Sequence, residues 1–294
     1  MRGPSKTALI SASHRALHQS LDGGAIFQDP FAISILGPDA GPFLEQARYD
    51  PFRQYWALHF AGRSCFAENA AEAALGKGVK QIVILGAGYD TYAYRCKAKP
   101  DTLIFEVDQS ATQLRKLERL ARAGIPIPQT LTFVSVDFEH EALADQLIEA
   151  GCDPALPSLF VWLGVTYYLA EDSVAATLRY VGSLPAAEIV FDYINPLPED
   201  LSPEAKAIVE SMSRRIADLG EPIRTRLDTG ALHADMKTFG LYVVEDLAPS
   251  DIFNRFLGKM FPGINPDRGW RFLHAATGQS ELSAALNLDA GSRS

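Results

Sequence analysis

The 294-residue sequence has little cysteine: Cys65, Cys96 and Cys152 are widely spaced and odd in number. None of them belongs to a Cys-x-x-Cys pair or has a histidine partner at zinc spacing. The low cysteine content therefore argues against a disulfide-stabilised scaffold and against structural zinc, and we predict no metal site.

Long apolar runs and an excess of positive charge are also missing. No run reaches the ~18 apolar residues of a membrane-spanning helix, and residues 1–21 lack the apolar centre of a signal peptide. The 27 lysine and arginine residues face 36 acidic ones, and a net charge of -9 repels phosphate backbones and anionic membranes. We predict a cytoplasmic protein without nucleic-acid or membrane partners.

Hydrophobic residues make up 47% of the chain and charged residues 21%, as in ordinary folded proteins. From residue 79 onward, apolar β-rich segments alternate with segments of helical spacing, which is typical of a parallel sheet covered by helices. The predicted strands are residues 79–85, 102–107, 131–136, 158–163 and 188–193, then a closing antiparallel hairpin of 241–247 and 269–277. The predicted fold class is α/β, with a doubly wound sheet of seven strands.

Regions of different character flank this alternating pattern. Residues 1–76, with helical segments at 5–20, 30–36 and 51–75, are interpreted as a helical cap. Residues 77–278 are interpreted as the α/β domain, with an insertion at about 195–228 over the carboxyl edge of the sheet. Residues 279–294 are small and polar and are interpreted as a tail.

Gly86 and Gly88 lie directly after the first predicted strand, in Leu85-Gly-Ala-Gly-Tyr-Asp. Glycine permits backbone angles and a close approach that a Cβ would block, so an elongated polar ligand can lie over the strand end. Gly86, Ala87 and Gly88 are therefore candidate cofactor contacts, although a plain strand-to-helix turn has the same pattern.

The second predicted strand delivers two acids, Glu106 and Asp108, at its carboxyl end. Asp108 follows Gly86 by about 20 residues, the offset of an acid that binds a ribose in nucleotide-binding folds. A carboxylate accepts hydrogen bonds from both ribose hydroxyls. We predict that Asp108 and the adjacent Gln109 contact a nucleoside cofactor, whereas Glu106 fits ligand contact and a satisfied buried carboxylate equally.

Two nucleoside cofactors fit this pattern, a nicotinamide dinucleotide and S-adenosylmethionine. The dinucleotide fingerprint requires a third glycine where this chain has Thr91, which favours S-adenosylmethionine. The third strand ends in Asp137 and Phe138, an acid and a ring suited to an adenine base. Asp137 also fits the cap of the following helix.

The chain resembles the leucine carboxyl methyltransferase-like family of S-adenosylmethionine-dependent enzymes, which includes tetracenomycin-type polyketide O-methyltransferases. The resemblance spans most of the chain and rests on Leu85-Gly-Ala-Gly-Tyr-Asp-Thr with Ala93-Tyr-Arg, on Phe105-Glu-Val-Asp, on Val136-Asp-Phe and on Gly164-Val-Thr-Tyr-Tyr-Leu. It implies a class I methyltransferase Rossmann-like sheet, with S-adenosylhomocysteine as product. It also implies an acceptor oxygen, expected on the carboxylate of a small molecule of secondary metabolism.

The resemblance also assigns Arg63 to the methionine carboxylate of the cofactor. Two positions depart from the family pattern: Leu163 replaces a glutamate that contacts the cofactor, and Tyr92 replaces a common arginine. Leu163 is still expected beside the cofactor. Its replacement leaves open a catalytically weakened binding protein of the same fold, and a second alternative is an NAD-dependent oxidoreductase that uses the same glycine turn.

A carboxylate acceptor is already ionised at neutral pH, so no general base is required and no catalytic residue is predicted. Substrate contacts are expected from the elements over the carboxyl edge of the sheet. The candidates are Tyr55 and His59 in the cap, Tyr167 and Tyr168 after the fourth strand, and Arg214 in the insertion. No oligomeric state is predicted.

Overall fold

A computed structural model describes residues 5–96, 101–256, 265 and 267–278. Within these residues a seven-stranded sheet comprises β1 (Gln81–Leu85), β2 (Leu103–Asp108), β3 (Leu131–Ser135), β4 (Ser158–Trp162), β5 (Ala187–Ile194), β6 (Leu241–Leu247) and β7 (Trp270–Thr277). The strand order is β3-β2-β1-β4-β5-β7-β6. β7 runs antiparallel to both of its neighbours, and the remaining pairs are parallel.

Helices cover both faces of the sheet and its carboxyl edge. They are α1 (Lys6–Leu21), α2 (Gly41–Arg48), α3 (Arg53–Gly76), α4 (Tyr92–Arg95), α5 (Ser110–Ala123), α6 (Leu143–Glu149), α7 (Glu171–Ser183), α8 (Pro203–Asp218), α9 (Thr229–Thr238) and α10 (Pro249–Phe256). Short 3-10 turns lie at Ser34–Leu36, Pro38–Ala40 and Thr166–Tyr168. No described helix has the length and apolarity needed to cross a membrane.

The central strands form because both of their faces are buried. All five residues of β1 are buried, and its side chains alternate between two core clusters. Val83 and Leu85 join the cluster that contains Phe160, whereas Ile82 and Ile84 join the cluster that contains residues of α3. A strand with this environment is apolar at every position, which is why the sequence pattern predicts it so clearly.

Helix α1 lies against the turn that follows β1. Its N-cap residue is Ser5, whose side chain accepts a hydrogen bond from the Ala8 amide. Ala8 lies so close to Gly88 that a Cβ on Gly88 would be 3.0 Å from the Ala8 methyl carbon. Farther along α1, Arg15 donates a 2.6 Å hydrogen bond to the carbonyl of Tyr89. The N-terminal helices thereby cover the carboxyl edge of the sheet.

The predicted α/β class and its seven strands are confirmed, and the differences concern short helices. The predicted helix at 30–36 is a turn that ends in the 3-10 segment Ser34–Leu36, and α2 and α10 are helices that the sequence pattern does not predict. The tail at 279–294 lies outside the described residues. The proposed division into cap, α/β domain and insertion stays a prediction.

Candidate active site

A cavity of about 1150 Å³ lies at the carboxyl edge of the sheet. It is larger than the roughly 300–1,000 Å³ of a typical small-molecule site, so it has room for two ligands. Of the residues predicted at the site, it is lined by His59, Arg63, Gly86, Ala87, Gly88, Asp108, Gln109, Phe138, Leu163, Tyr167 and Tyr168.

The cofactor end of the cavity, as we call it, is the part formed by Gly86, Gly88 and Asp108. Both glycines have positive φ, 65° and 48°, which side chains disfavour. A Cβ on Gly86 would overlap the side chain of Val165. The Gly88 amide donates a 2.6 Å hydrogen bond to Asp108 Oδ2, so the acid of β2 holds the turn that follows β1.

Asp108 is partly buried and accepts a second hydrogen bond at Oδ1, from the Gln109 amide at 2.7 Å. Burial raises the pKa of its carboxyl to about 6, although the two backbone hydrogen bonds act in the opposite direction. Each carboxylate oxygen has more than one acceptor site. Asp108 can therefore keep both amide contacts and still accept hydrogen bonds from a diol in the cavity.

Glu106 does not line the cavity. It is almost completely buried and pairs with Lys116 Nζ at 2.7 Å, and it accepts a hydrogen bond from the Tyr94 hydroxyl at 3.2 Å. Of its two interpretations, the structure favours the buried, paired carboxylate over ligand contact.

Arg63 projects from α3 onto the loop after β4. Its Nη1 donates to Asp192 Oδ2 at 2.9 Å and to the Tyr167 hydroxyl at 3.3 Å, and its Nη2 donates to Ser11 Oγ at 3.0 Å. A Cβ on Gly164 would lie only 2.8 Å from Arg63 Nη2, so glycine is what lets the guanidinium rest on this loop. Although burial opposes the charge, Asp192 and Tyr167 raise the pKa of Arg63 above its usual value.

Three residues predicted to contact ligands do not line the cavity. Asp137 accepts a 3.1 Å hydrogen bond from the Glu139 amide in the turn after β3, and it does not cap α6, whose N-cap residue is Ala142. Tyr55 lines a separate small cavity beside Phe253, and Arg214 is exposed on α8. The next residue of α8, Arg215, lines the main cavity instead.

The acceptor end of the cavity, as we call it, is formed by His14, Trp56, His59, Phe60, Tyr167, Trp270 and the pair Asp50–Arg215. Its rings contact one another: the centroid distances are 4.6 Å for His59–Trp270, 4.7 Å for Tyr167–Trp270 and 5.2 Å for His14–Phe60. Burial lowers the pKa of His14 to about 4 and that of His59 well below its usual value. Both imidazoles are therefore neutral at neutral pH.

The sequence reasoning did not identify His14, Phe60, Trp270, Asp50 or Asp192 as site residues. Nothing in the local sequence around the aromatic residues distinguishes them from core residues of helices or, for Trp270, of a strand. Asp192 did leave a signal, because it is an acid within the otherwise apolar strand segment Ile189-Val-Phe-Asp-Tyr. A buried strand rarely contains an unpaired acid, so a buried partner could have been expected.

Comparison with known proteins gives a consistent result. The model of the family described as leucine carboxyl methyltransferase matches residues 8–182. YktD of Bacillus subtilis, provisionally named an S-adenosyl-L-methionine-dependent methyltransferase, is 29% identical over 297 residues, which cover 92% of this chain and 97% of YktD. FRAAL3718 of Frankia alni, with the same provisional name, is 33% identical over 194 residues, covering 62% of this chain and 65% of its own length.

Two solved structures share the fold. A DUF574 family protein from Streptomyces avermitilis superposes with a TM-score of 0.56 at 15% identity, covering 94% of this chain and 98% of that one. A protein from Thermobifida fusca, provisionally titled a methyltransferase, superposes with a TM-score of 0.56 at 14% identity, covering 94% and 96% of the two chains. At these identities the likeness concerns the fold alone.

Proposed function

Because the chain belongs to the leucine carboxyl methyltransferase family, we propose that it transfers a methyl group from S-adenosylmethionine to a carboxylate oxygen of a small molecule. The predicted family and fold class are confirmed. S-adenosylmethionine-dependent methyl transfer is supported by the family and by the provisional names of relatives such as YktD. The alternative of an NAD-dependent oxidoreductase has no support among these relatives.

The observation that carries the proposal is the arrangement of Asp108 and the glycine turn with Arg63 around one cavity. The glycine turn packs closely against Val165 and Ala8 beside the cavity, Asp108 offers acceptors to a diol, and Arg63 offers donors to a carboxylate. These groups match the ribose and the amino-acid portion of S-adenosylmethionine. We assign Gln109 and Phe138 to its adenosine portion and Leu163 to the wall between the two.

S-adenosylmethionine supplies a methyl group that is activated by its sulfonium charge. The task of the chain is to bind and align the acceptor and to exclude water. Trp56, Phe60 and Trp270 provide an apolar wall for this purpose, and the neutral His14 and His59 add no charge to it. A carboxylate acceptor needs no proton removed, which agrees with a site in which burial lowers the pKa of both imidazoles and makes them weak bases.

Arg215 is the cation that we assign to the acceptor carboxylate. Its side chain is 49% exposed, and its contact with Asp50 Oδ2 is long, at 3.4 Å. By contrast, Arg63 is buried against Asp192, and Arg15 is buried with a 2.6 Å bond to a carbonyl. Arg224, the fourth arginine among the residues that line the cavity, is closely paired with Glu139. Among these four guanidinium groups, Arg215 is therefore the easiest to recruit to an incoming anion.

The proposal is tested by incubating the protein with S-adenosylmethionine and a panel of carboxylic acids and phenols, followed by mass spectrometry. A product heavier by one CH₂ that mild base returns to the starting acid identifies a methyl ester and supports the proposal. A base-stable product would identify an ether and move the acceptor to a phenol. Binding of NAD without binding of S-adenosylhomocysteine, measured by calorimetry, would overturn the methyltransferase assignment.

A further inference from the structure

Asp192 is a carboxylate with no exposed surface, at the carboxyl end of β5. It does not line the cavity, so it contacts no ligand there. An ionised carboxylate in such a position is costly unless it is paired and hydrogen-bonded. The contacts that compensate Asp192 therefore indicate what it does.

Its two carboxylate oxygens connect separate elements of the site. Oδ1 accepts a 2.5 Å hydrogen bond from the amide of Gly164, in the loop after β4, and Oδ2 accepts the 2.9 Å bond from Arg63 on α3. Its backbone carbonyl accepts a 2.7 Å bond from the Thr166 hydroxyl in the same loop. Asp192 thus fixes Arg63 relative to the loop that the guanidinium rests on.

The charge partner of Asp192 is Arg63 and not His59. His59 Nε2 lies 3.8 Å from Asp192 Oδ2, beyond hydrogen-bond distance, and the imidazole is neutral at neutral pH. Arg63 Nη1 already donates to Asp192 and to Tyr167, and Nη2 donates to Ser11, which leaves the second Nη2 hydrogen and the Nε hydrogen for a ligand. A guanidinium held in this way loses less freedom on binding than a mobile one.

We infer that Asp192 is a positioning residue, which orients Arg63 and the Gly164 loop toward the amino-acid portion of the cofactor. It acts through Arg63 and touches neither substrate nor cofactor. The inference rests on the proposed function, because it requires that Arg63 receives the carboxylate of S-adenosylmethionine.

The test compares two ligands, S-adenosylhomocysteine and adenosine, in calorimetric titrations of the wild type and of Asp192→Asn. Adenosine lacks the amino-acid portion. We expect D192N to weaken S-adenosylhomocysteine about tenfold or more and to change adenosine affinity by less than about twofold. Asp192→Glu is expected to restore little of the lost S-adenosylhomocysteine affinity, because the longer side chain keeps the negative charge but displaces it.

The matched control is Asp246→Asn. Asp246 is another aspartate of the same sheet whose side chain is largely buried, and it pairs with Arg271 at 2.9 Å, but Arg271, unlike Arg63, does not line the cavity. D246N is expected to lower the melting temperature while leaving both affinities unchanged. A general effect of removing a buried carboxylate is thereby separated from an effect on the cofactor.

A double variant, Arg63→Met with Asp192→Asn, keeps the test valid if D192N does not fold. It removes both charges together, so no unpaired charge stays buried. If Asp192 acts through Arg63, this variant binds S-adenosylhomocysteine as R63M alone does. A further loss in the double variant, or equal losses of both ligands in folded D192N, would overturn the inference.

Unchanged affinity for S-adenosylhomocysteine in D192N would also overturn it, while the proposed function would stand. If the wild type itself does not bind S-adenosylhomocysteine, the proposed function fails, and this inference fails with it. The wild-type titration therefore distinguishes the two failures.

Discussion

The two ends of the cavity are built by different means. At the cofactor end, the contacts come from the backbone turn at Gly86–Gly88 and from an acid at the end of the neighbouring strand. At the acceptor end, side chains of α1, α3, α8 and β7 meet only through tertiary packing. A geometry set by strands and turns suits a ligand that a whole family shares. Packed side chains, by contrast, can be replaced by substitution without disturbing the sheet.

The largest expected effect comes from a substitution that impairs ligand binding at the cofactor end alone. Asp108→Ala removes a carboxylate that we assign to two ribose hydroxyls, and S-adenosylhomocysteine binding should weaken by ~2 kcal/mol or more, roughly 30-fold. Calorimetry measures the loss, and circular dichroism checks the fold. Asp101→Ala, in the turn that precedes β2, is the control and should bind normally. Unchanged affinity in folded D108A would contradict the ribose assignment.

The next prediction concerns a substitution that weakens acceptor binding and leaves cofactor binding unchanged. Arg215→Gln should raise the KM for a carboxylate acceptor by at least about tenfold, with kcat and S-adenosylhomocysteine affinity nearly unchanged. The reason is that the lost contact stabilises the bound acceptor and the transition state equally. Arg214→Gln is the matched control, since Arg214 lies outside the cavity on the same helix. Equal effects of the two variants would indicate a general change in surface charge and refute the assignment of Arg215.

A pH titration sharpens the comparison because the titrating group belongs to one end only. The Asp108 pKa of about 6 means that the carboxyl takes up a proton as the pH falls through 6, and it then accepts fewer hydrogen bonds. S-adenosylhomocysteine affinity should fall roughly fourfold from pH 7 to pH 5.5 and level off above about pH 7. His14, with a pKa of about 4, stays neutral in this window. Asp108→Asn should abolish the dependence, and its persistence in D108N would assign it to another group.

The smallest expected effect concerns Leu163, which lines the cavity beside Gly164. Leu163→Glu introduces a carboxylate that can attract the ammonium group of S-adenosylmethionine, and affinity should tighten roughly threefold. Leu163→Gln is the uncharged control and should produce a smaller gain. No change in L163E would mean that residue 163 does not contact the cofactor.

The sequence was most informative where function and secondary structure coincide. Gly86 and Asp108 could be identified because a turn and a strand end place them at the same edge of any doubly wound sheet. Helical faces were harder to assign. Trp56, His59, Phe60 and Arg63 form one stripe of α3 along the cavity, whereas Tyr55, one residue away, faces Phe253.

The same limitation applies to longer distances in the chain. Arg214 and Arg215 differ by one step of about 100° around α8, and only the packed structure decides which of them lines the cavity. Asp192 acquires its role from Arg63, a residue 129 positions away. No local pattern reports a contact of this kind, because it depends on how α3 packs against the sheet.

The contact between α1 and the glycine turn has a consequence for turnover. A molecule bound over Gly88 lies beneath the segment that contains Ala8, and Arg15 fastens that helix to the backbone at Tyr89. We therefore expect the exchange of a spent ligand for a fresh one to depend on how readily the first helix moves away from the sheet. Changes in this helix, remote from the transferred methyl group, can set the pace of the whole cycle.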